Sequence, residues 1–268
     1  MKKIVYLLLF TAYTSYAQDT FNLTTTITTK ADFITADNQS NVYVVKGDEL
    51  SKYNKTGKLL YKYSNKNLGK IDFVDASYML KPFLFYKNFL QIVYLDNTLS
   101  LNGDPVILDD PATPDEVEYE QAQLACTSYN GCVWLYDQEN MELVRLDQNL
   151  KKTVGTGNLS ILLNIDLQPN YLIEHDNKVY LNNPSSGILI FDVFGTYYKT
   201  VPIKNITHFE PIGDWVYFMT EDNKIDAYQL KTGNTIQFKV PHVDFTNFRL
   251  ETDILMLQNK DSILFYGK

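Results

Sequence analysis

Histidine, cysteine and positive charge are all scarce in this chain, and each scarcity removes a class of chemistry. Among 268 residues there are three histidines, His175, His208 and His242, and two cysteines, Cys126 and Cys132. A zinc site or a nucleophilic triad needs such residues clustered at ligand or hydrogen-bonding spacing, and these are scattered. No Gly-x-Ser-x-Gly elbow occurs, and no phosphate-cradling loop. Val154-Gly155 and Thr156-Gly157-Asn158 place two glycines in one turn, but no Lys-Ser/Thr follows. Beyond the first residues, no stretch approaches the ~20 apolar residues of a membrane helix. We therefore expect no catalytic residue, no metal and no cofactor, and a protein that is not an enzyme.

The one apolar run lies at the start. Lys2 and Lys3 precede Ile4 to Phe10, and Ser15-Tyr16-Ala17 supplies the small-x-small pattern cut by signal peptidase. The expectation is a signal peptide over residues 1–17, cleavage before Gln18, and a mature chain of residues 18–268 exported to the periplasm. Gln18 in place of a cysteine argues against lipid anchoring there. Removing the signal leaves 22 basic against 32 acidic residues, a net charge of −10. That balance disfavours nucleic acid and anionic membrane, whose affinity comes from Lys and Arg.

What the chain has in quantity is aromatic residues, 20 Tyr and 15 Phe, often beside Val, Ile or Leu. This is strand composition, and it repeats. Apolar pairs that open a strand occur at Val42-Tyr43, Phe89-Leu90, Val133-Trp134, Val179-Tyr180, Val216-Tyr217 and Ile254-Leu255. The pairs recur at close to the length of one repeat unit all along the chain. Second strands follow at Leu50, Leu99, Leu143, Ile188, Ile225 and Ile263, and turns such as Asn54-Lys55-Thr56-Gly57, Asn102-Gly103 and Asp192 to Gly195 come next. Preceding strands are read at Phe33 to Thr35, Gln123 to Thr127, Tyr171 to Ile173 and Phe245 to Leu250. Following strands are read at Lys58 to Tyr63, Pro105 to Leu108, Tyr197 to Ile203 and Thr235 to Val240. Four antiparallel strands per ~40–45 residues mark a propeller blade. The expected fold is all-β, a single β-propeller of six four-stranded blades. The sixth repeat stops at Lys268 without a fourth strand, while Phe21 to Thr29 belongs to no forward repeat. If that N-terminal strand pairs onto the last blade, the ring closes and an edge disappears. One short helical turn is expected within Ser160 to Leu167. His175, His208 and His242 precede their anchors Tyr180, Tyr217 and Leu255 by unequal steps, so they occupy different blade positions and form no ring.

These residues resemble the loose Tyr/Val…Tyr/Phe-Asp-x-x-Gly pattern of NHL-type six-bladed propellers, most clearly at Asn41-Val42-Tyr43-Val44 with Lys52-Tyr53-Asn54-Lys55-Thr56-Gly57. The Gly-His and Trp-Asp pairs of WD40 repeats are absent, as is the Trp-x-Trp pattern of pyrroloquinoline-quinone propellers. The high Lys, Asn, Tyr and Ile usage with the Ala-Gln junction resembles exported proteins of Bacteroidota. In that group small exported propellers occur as accessory subunits of outer-membrane machines, and the resemblance implies a plug-type subunit of the type 9 secretion translocon.

Two features stand outside the repeat. Cys126 and Cys132 flank a turn in a chain expected to reach an oxidising compartment. A two-residue Asn-Gly turn would set Cys126 opposite Leu135 and leave no bridge, whereas a wider loop would bring the sulfurs together. Between the second and third repeats, residues 109–120 are Pro-broken and carry six carboxylates, Asp109, Asp110, Asp115, Glu116, Glu118 and Glu120. The segment reads as a solvated loop or, functionally, as a docking segment for a basic partner; a calcium loop would need a Gly at its sharp bend. The function expected is a non-catalytic binding or scaffold protein that joins a periplasmic or outer-membrane protein complex. The alternatives are a lactonase- or lyase-like propeller and a glycan- or peptide-binding surface protein.

Overall fold

A computed structural model of the protein describes residues 21–109, 119, 121–241, 244–251 and 253–268. Strand β1 (Asn22–Thr28) comes first. Blade 1 is β2 (Phe33–Ala36), β3 (Val42–Lys46), β4 (Glu49–Tyr53) and β5 (Leu59–Ser64). Blade 2 is β6 (Phe73–Asp75), β7 (Phe83–Tyr86), β8 (Gln91–Tyr94) and β9 (Val106–Ile107). Blade 3 is β10 (Ala122–Thr127), β11 (Val133–Asp137), β12 (Glu142–Leu146) and β13 (Lys152–Gly155). A short helix, α1 (Leu159–Leu163), leads to blade 4: β14 (Tyr171–His175), β15 (Lys178–Asn183), β16 (Gly187–Asp192) and β17 (Tyr197–Val201). Blade 5 is β18 (Phe209–Ile212), β19 (Trp215–Met219), β20 (Ile225–Gln229) and β21 (Thr235–Phe238). Blade 6 has β22 (Asn247–Leu250), β23 (Ile254–Gln258) and β24 (Ser262–Gly267) from the C-terminal end of the chain. Its fourth strand is β1, antiparallel to β24 from Asn22 opposite Gly267 to Thr28 opposite Ser262. The protein is a six-bladed β-propeller closed by its N-terminal strand.

Burial follows from this arrangement. Blades pack face to face, so middle strands are covered on both sides: β7 (Phe-Leu-Phe-Tyr) is buried at every residue, as is β11. Perimeter strands β5, β13 and β21 are largely exposed. Instead of one central core there are six, each filled by two neighbouring blades. Trp134 and Tyr136 of blade 3 meet Leu181 and Phe191 of blade 4, for example, and Ile27 of β1 packs with Ile34 and Val44 of blade 1. The Asp-x-x-Gly turn has a local cause. Asp192 Oδ1 accepts from the amides of Phe194 and Thr196 at 2.9 and 2.8 Å, and Gly195 supplies the positive φ of +79° between them.

Blade 2 departs from the expected register. Phe89 ends a 3-10 turn, Lys87–Phe89, between β7 and β8, Leu90 caps that turn, and Leu99 lies outside any strand. The strand pair read as starting at Phe89 and Leu99 is β7 and β8, one strand earlier. Asp96 Oδ1 holds Thr98 N and Ser100 N at 2.7 and 2.9 Å, the same turn as at Asp192, but the positive-φ position is taken by Leu99 (φ +60°). Without the glycine the turn looks like the start of a strand. Strands β6, β13 and β18 complete blades where no strand was expected.

The cysteines are buried free thiols. Between β10 and β11 lie Ser128 to Cys132, whose middle three residues, Tyr129 to Gly131, form a 3-10 turn closed by Ser128 N donating to Cys132 O at 2.8 Å. The register therefore sets Cys126 opposite Trp134, correcting the expected Leu135, and Cys132 two rungs further on. Diagonal neighbours stand about 7–8 Å apart, beyond the reach of a disulfide. Of the two outcomes left open for Cys126 and Cys132 the unbridged one holds, and the loop, though wider than an Asn-Gly pair, does not bring the sulfurs together. The signal segment 1–17, Asp110, Asp115, Glu116, Glu118, Glu120 and His242 lie outside the described residues. Asp109 is exposed, and Tyr119, further along the same link, is buried between blades 2 and 3.

Candidate functional site

The innermost strands β2, β6, β10, β14, β18 and β22 surround a central channel. We name its ends by strand direction: the entry face, where these strands begin, and the exit face, where they end. Among the described residues, a cavity lies at each end of the channel. The entry cavity, about 350 Å³, includes Asp32, Asp72, Gln123, Asn170, His208 and Phe248 in its wall. The exit cavity, about 330 Å³, includes Asn38, Asp75, Ser77, His175, Glu210 and Glu251. Phe73, Val74, Tyr171 and Arg249 belong to both walls and form the partition.

The partition is held by a buried polar chain across three blades. Glu210 on β18 accepts from His208 Nε2 at 2.6 Å and from Arg249 Nη1 on β22. Arg249 also donates from Nη2 to Thr35 Oγ1 at 2.8 Å and from Nε to the Ile34 carbonyl at 3.2 Å. One side chain of blade 6 thus ties blade 5 to blade 1. Burial opposes the charge on Glu210, but Arg249 and His208 outweigh it and hold the carboxyl below its usual range. Burial pushes His208 down, and the attraction of Glu210 does not offset it. The His208 ring stands edge-on to Tyr171 and Phe248, with centroids 4.9 and 5.9 Å away.

Two further carboxylates link blades on the exit side. Asp75 of blade 2 accepts from Ser77 N, Ser77 Oγ, Thr127 N and Thr127 Oγ1 of blades 2 and 3. Glu174 of blade 4 accepts from Ser128 Oγ at 2.6 Å, Tyr129 N at 3.2 Å and Trp134 Nε1 at 2.7 Å. Both carboxylates spend their acceptor capacity on the protein itself. Glu251, in the turn after β22, differs: among the described residues its carboxyl has no hydrogen-bond donor and no cation at ion-pair distance. Burial first, then Glu210 and Asp37 against the smaller opposing pull of Arg249, push it up to about 7.

Beside the exit mouth a groove of about 410 Å³ runs between blades 2 and 3, lined by Tyr78, Lys81, Tyr94, Thr127, Tyr129 and Glu174 among others. Its wall carries exposed aromatic surface, Tyr78 at 60% and Tyr129 at 38% of full exposure, and Leu80, two residues from Tyr78 in the chain, is 51% exposed. Cations back two of the rings: Lys81 Nζ sits 3.9 Å from the Tyr94 centroid, and the Arg145 guanidinium 3.8 Å from that of Tyr129.

Of the residues singled out from the sequence, His208 lines the entry cavity and His175 the exit cavity, where it pairs with Asp176 at 3.3 Å. No group of three or more His, Cys, Asp or Glu able to hold a metal occurs among the described residues. Asp109 lies on the link from β9 to β10, which leaves and rejoins the ring on the entry face. The residues that sequence reading passed over are Glu210, Arg249, Glu251 and Tyr171. A signal existed for two of them. Glu210 and Arg249 are lone charges inside short apolar strands, separated along the chain by close to one repeat length.

No family model and no curated protein matches the sequence. Among solved structures, virginiamycin B lyase of Staphylococcus aureus superposes with a TM-score of 0.58 at 12% identity, covering 93% of this chain and all of that one. A chain of the mitotic checkpoint complex gives a TM-score of 0.63 at 8% identity, covering 100% and 99%. The extracellular domain of the B. thetaiotaomicron protein BT4673 gives 0.54 at 12% identity over 87% of this chain, which spans about a third of that domain (32%). At these identities the likeness is one of fold.

Proposed function

We propose that this protein is a non-catalytic binding propeller that seats a protein partner on its exit face. The observation that carries the reading is the pair of exposed tyrosines, Tyr78 and Tyr129, in the wall of the groove between blades 2 and 3, with exposed Leu80 two residues from Tyr78 in the chain. Tyrosines recur at interface hot spots because they bury large area at small entropic cost while keeping a polar end. Contiguous exposed apolar surface beside a cavity marks an interaction site. In the channel, by contrast, Glu210, Arg249 and His208 are spent on one another, which suits a brace between blades.

The setting we propose is the periplasm, reached through the N-terminal signal, with the protein acting as an accessory subunit of an outer-membrane complex such as the type 9 protein translocon. Supporting this are the export pattern of residues 1–17 and the compositional resemblance to Bacteroidota proteins. No helix among the described residues is long and apolar enough to cross a membrane, so association would run through protein contact. The test is affinity purification of the tagged protein from native membranes, beside the triple variant Tyr78→Ala, Leu80→Ala, Tyr129→Ala. We expect an outer-membrane complex in stoichiometric yield with the wild type and at least tenfold less with the variant. Truncating a hot-spot side chain typically costs about 2 kcal/mol or more. Equal recovery by both proteins would move the docking site elsewhere.

A further inference from the structure

The exit cavity has an unbalanced charge. Within its wall Glu210 is matched by Arg249, and behind it Asp37 is matched by Lys52 at 3.6 Å. Asp75 has four donors. Glu251 has neither donor nor cation among the described residues. Tyr171, only 8% exposed and shared by both cavities, carries a hydroxyl that lies near Arg249 without reaching hydrogen-bond geometry. The cavity thus presents a carboxyl that has no counter-ion at ion-pair distance among the described residues, beside the rings of Phe73 and Tyr171 in its wall.

We infer that the exit cavity receives one guanidinium group, presented by an arginine side chain of the partner protein. This rests on the binding-protein reading above and names the partner's chemistry. A guanidinium suits the site better than an ammonium. Its planar fork matches a carboxylate bidentately, it is weakly hydrated, and it stacks on aromatic faces. A cavity of about 330 Å³ is at the lower limit of ligand-pocket size, room for a single side chain. It opens on the face that carries Tyr78 and Tyr129, so one partner surface can cover both. The chain's net charge of −8 draws cationic groups toward this mouth.

Protonation follows from the same geometry. The groups facing Glu251 are Glu210, Arg249 and Asp37, with Asp75 and His175 in the cavity wall. With its carboxyl pushed up to about 7, Glu251 is near half-protonated at neutral pH without a partner. An incoming guanidinium binds the ionised form, and the proton leaves to solvent. The ionised fraction falls about tenfold from pH 8 to pH 6, and affinity falls with it.

The experiment is an NMR shift titration of the full folded chain with acetyl-Gly-Arg-Gly-amide, alongside the same peptide with lysine or with neutral citrulline. At pH 8 the arginine peptide should give saturable shifts near Glu251 and Tyr171. The lysine peptide should bind more weakly and the citrulline peptide not at all. Affinity for the arginine peptide should be about tenfold lower at pH 6. E251Q should lose at least tenfold in affinity and all pH dependence, whereas H175N should keep the wild-type pH profile, which separates Glu251 from the rim histidine. Equal binding by wild type and E251Q, equal binding of arginine and citrulline peptides, or no saturable shift at pH 8 would overturn the inference. The spectra themselves report whether each variant is folded. If the peptide fails while the wild type still recovers a complex that the Tyr78/Leu80/Tyr129 variant loses, the inference falls alone. If the peptide binds but no complex is recovered, the binding-protein reading falls.

Discussion

At the scale of single residues, Arg249 holds the most. It donates to Glu210, Thr35 and the Ile34 carbonyl at once and is the buried cation that balances Glu210. Removing one member of a buried ion pair costs about 3–5 kcal/mol, because the other charge is left in a low-dielectric site. Arg249→Met should therefore lower the unfolding free energy by about that amount in urea titration. Adding Glu210→Leu to it should recover more than half, since no charge is then stranded. A double variant no more stable than Arg249→Met would show that the loss came from packing. Stability should also depend on pH through Glu210. Its folded carboxyl titrates below the ordinary value of 4.5, so its contribution is complete above that pH and is lost as pH falls through the lower folded value. A charged residue inside Phe248-Arg249-Leu250 was visible in the sequence. Its partner was not, because Glu210 and Arg249 meet only when consecutive blades are set side by side.

At the scale of elements, the repeat was legible wherever the turn chemistry was regular. Asn54 and Asp192 each hold two amides across a glycine with positive φ, and blades 1 and 4 were read in register. In blade 2 the signal is hidden, because Leu99 occupies the glycine position at φ +60°. The strand β6, only three residues long, is too short to carry a period. The link from β9 to β10 gives Tyr119 to the core between blades 2 and 3, but its run of carboxylates belongs to no blade pattern. Concentrated carboxylates on an acidic protein repel one another, and a basic partner would relieve that repulsion. Replacing Asp109, Asp110, Asp115, Glu116, Glu118 and Glu120 by Asn or Gln should leave the melting temperature equal or slightly raised, because loop insertions contribute little to stability. If the segment docks a partner from the entry face, the same change should weaken capture more at low salt than at high salt. Equal recovery at low ionic strength would leave the segment as solvated surface.

At the scale of the whole molecule, stability comes from six interfaces in a ring. Each core lies between two blades, so the ring is only as sound as its closing pair. That pair is β1 on β24, and it engages blade 1 as well: a Cβ at Gly57, in the last turn of blade 1, would stand 2.5 Å from Thr25 Cγ2. Deleting residues 21–29 should expose the edge of blade 6 and strip Ile27 from its core, lowering the melting temperature by several degrees or causing aggregation. A soluble monomeric deletion protein with an unchanged melting temperature would mean that closure is dispensable.

What the sequence determined by itself were the properties set by neighbours along the chain. Strand composition, Asx turns with glycine at positive φ, a period of one blade length and an N-terminal strand without a repeat to join were enough for a closed six-bladed ring. The tertiary structure decided what the ring brings together across it. Glu210, Arg249 and Thr35 become one brace, Glu251 is left in a cavity wall with no counter-ion at ion-pair distance among the described residues, and Tyr78 and Tyr129 meet at one groove from adjacent blades. Period and turn chemistry are local, and a pattern of one strand records them. A carboxyl's partners depend on which blade lies beside its own and how deeply both are buried, and those are fixed only when the circle closes.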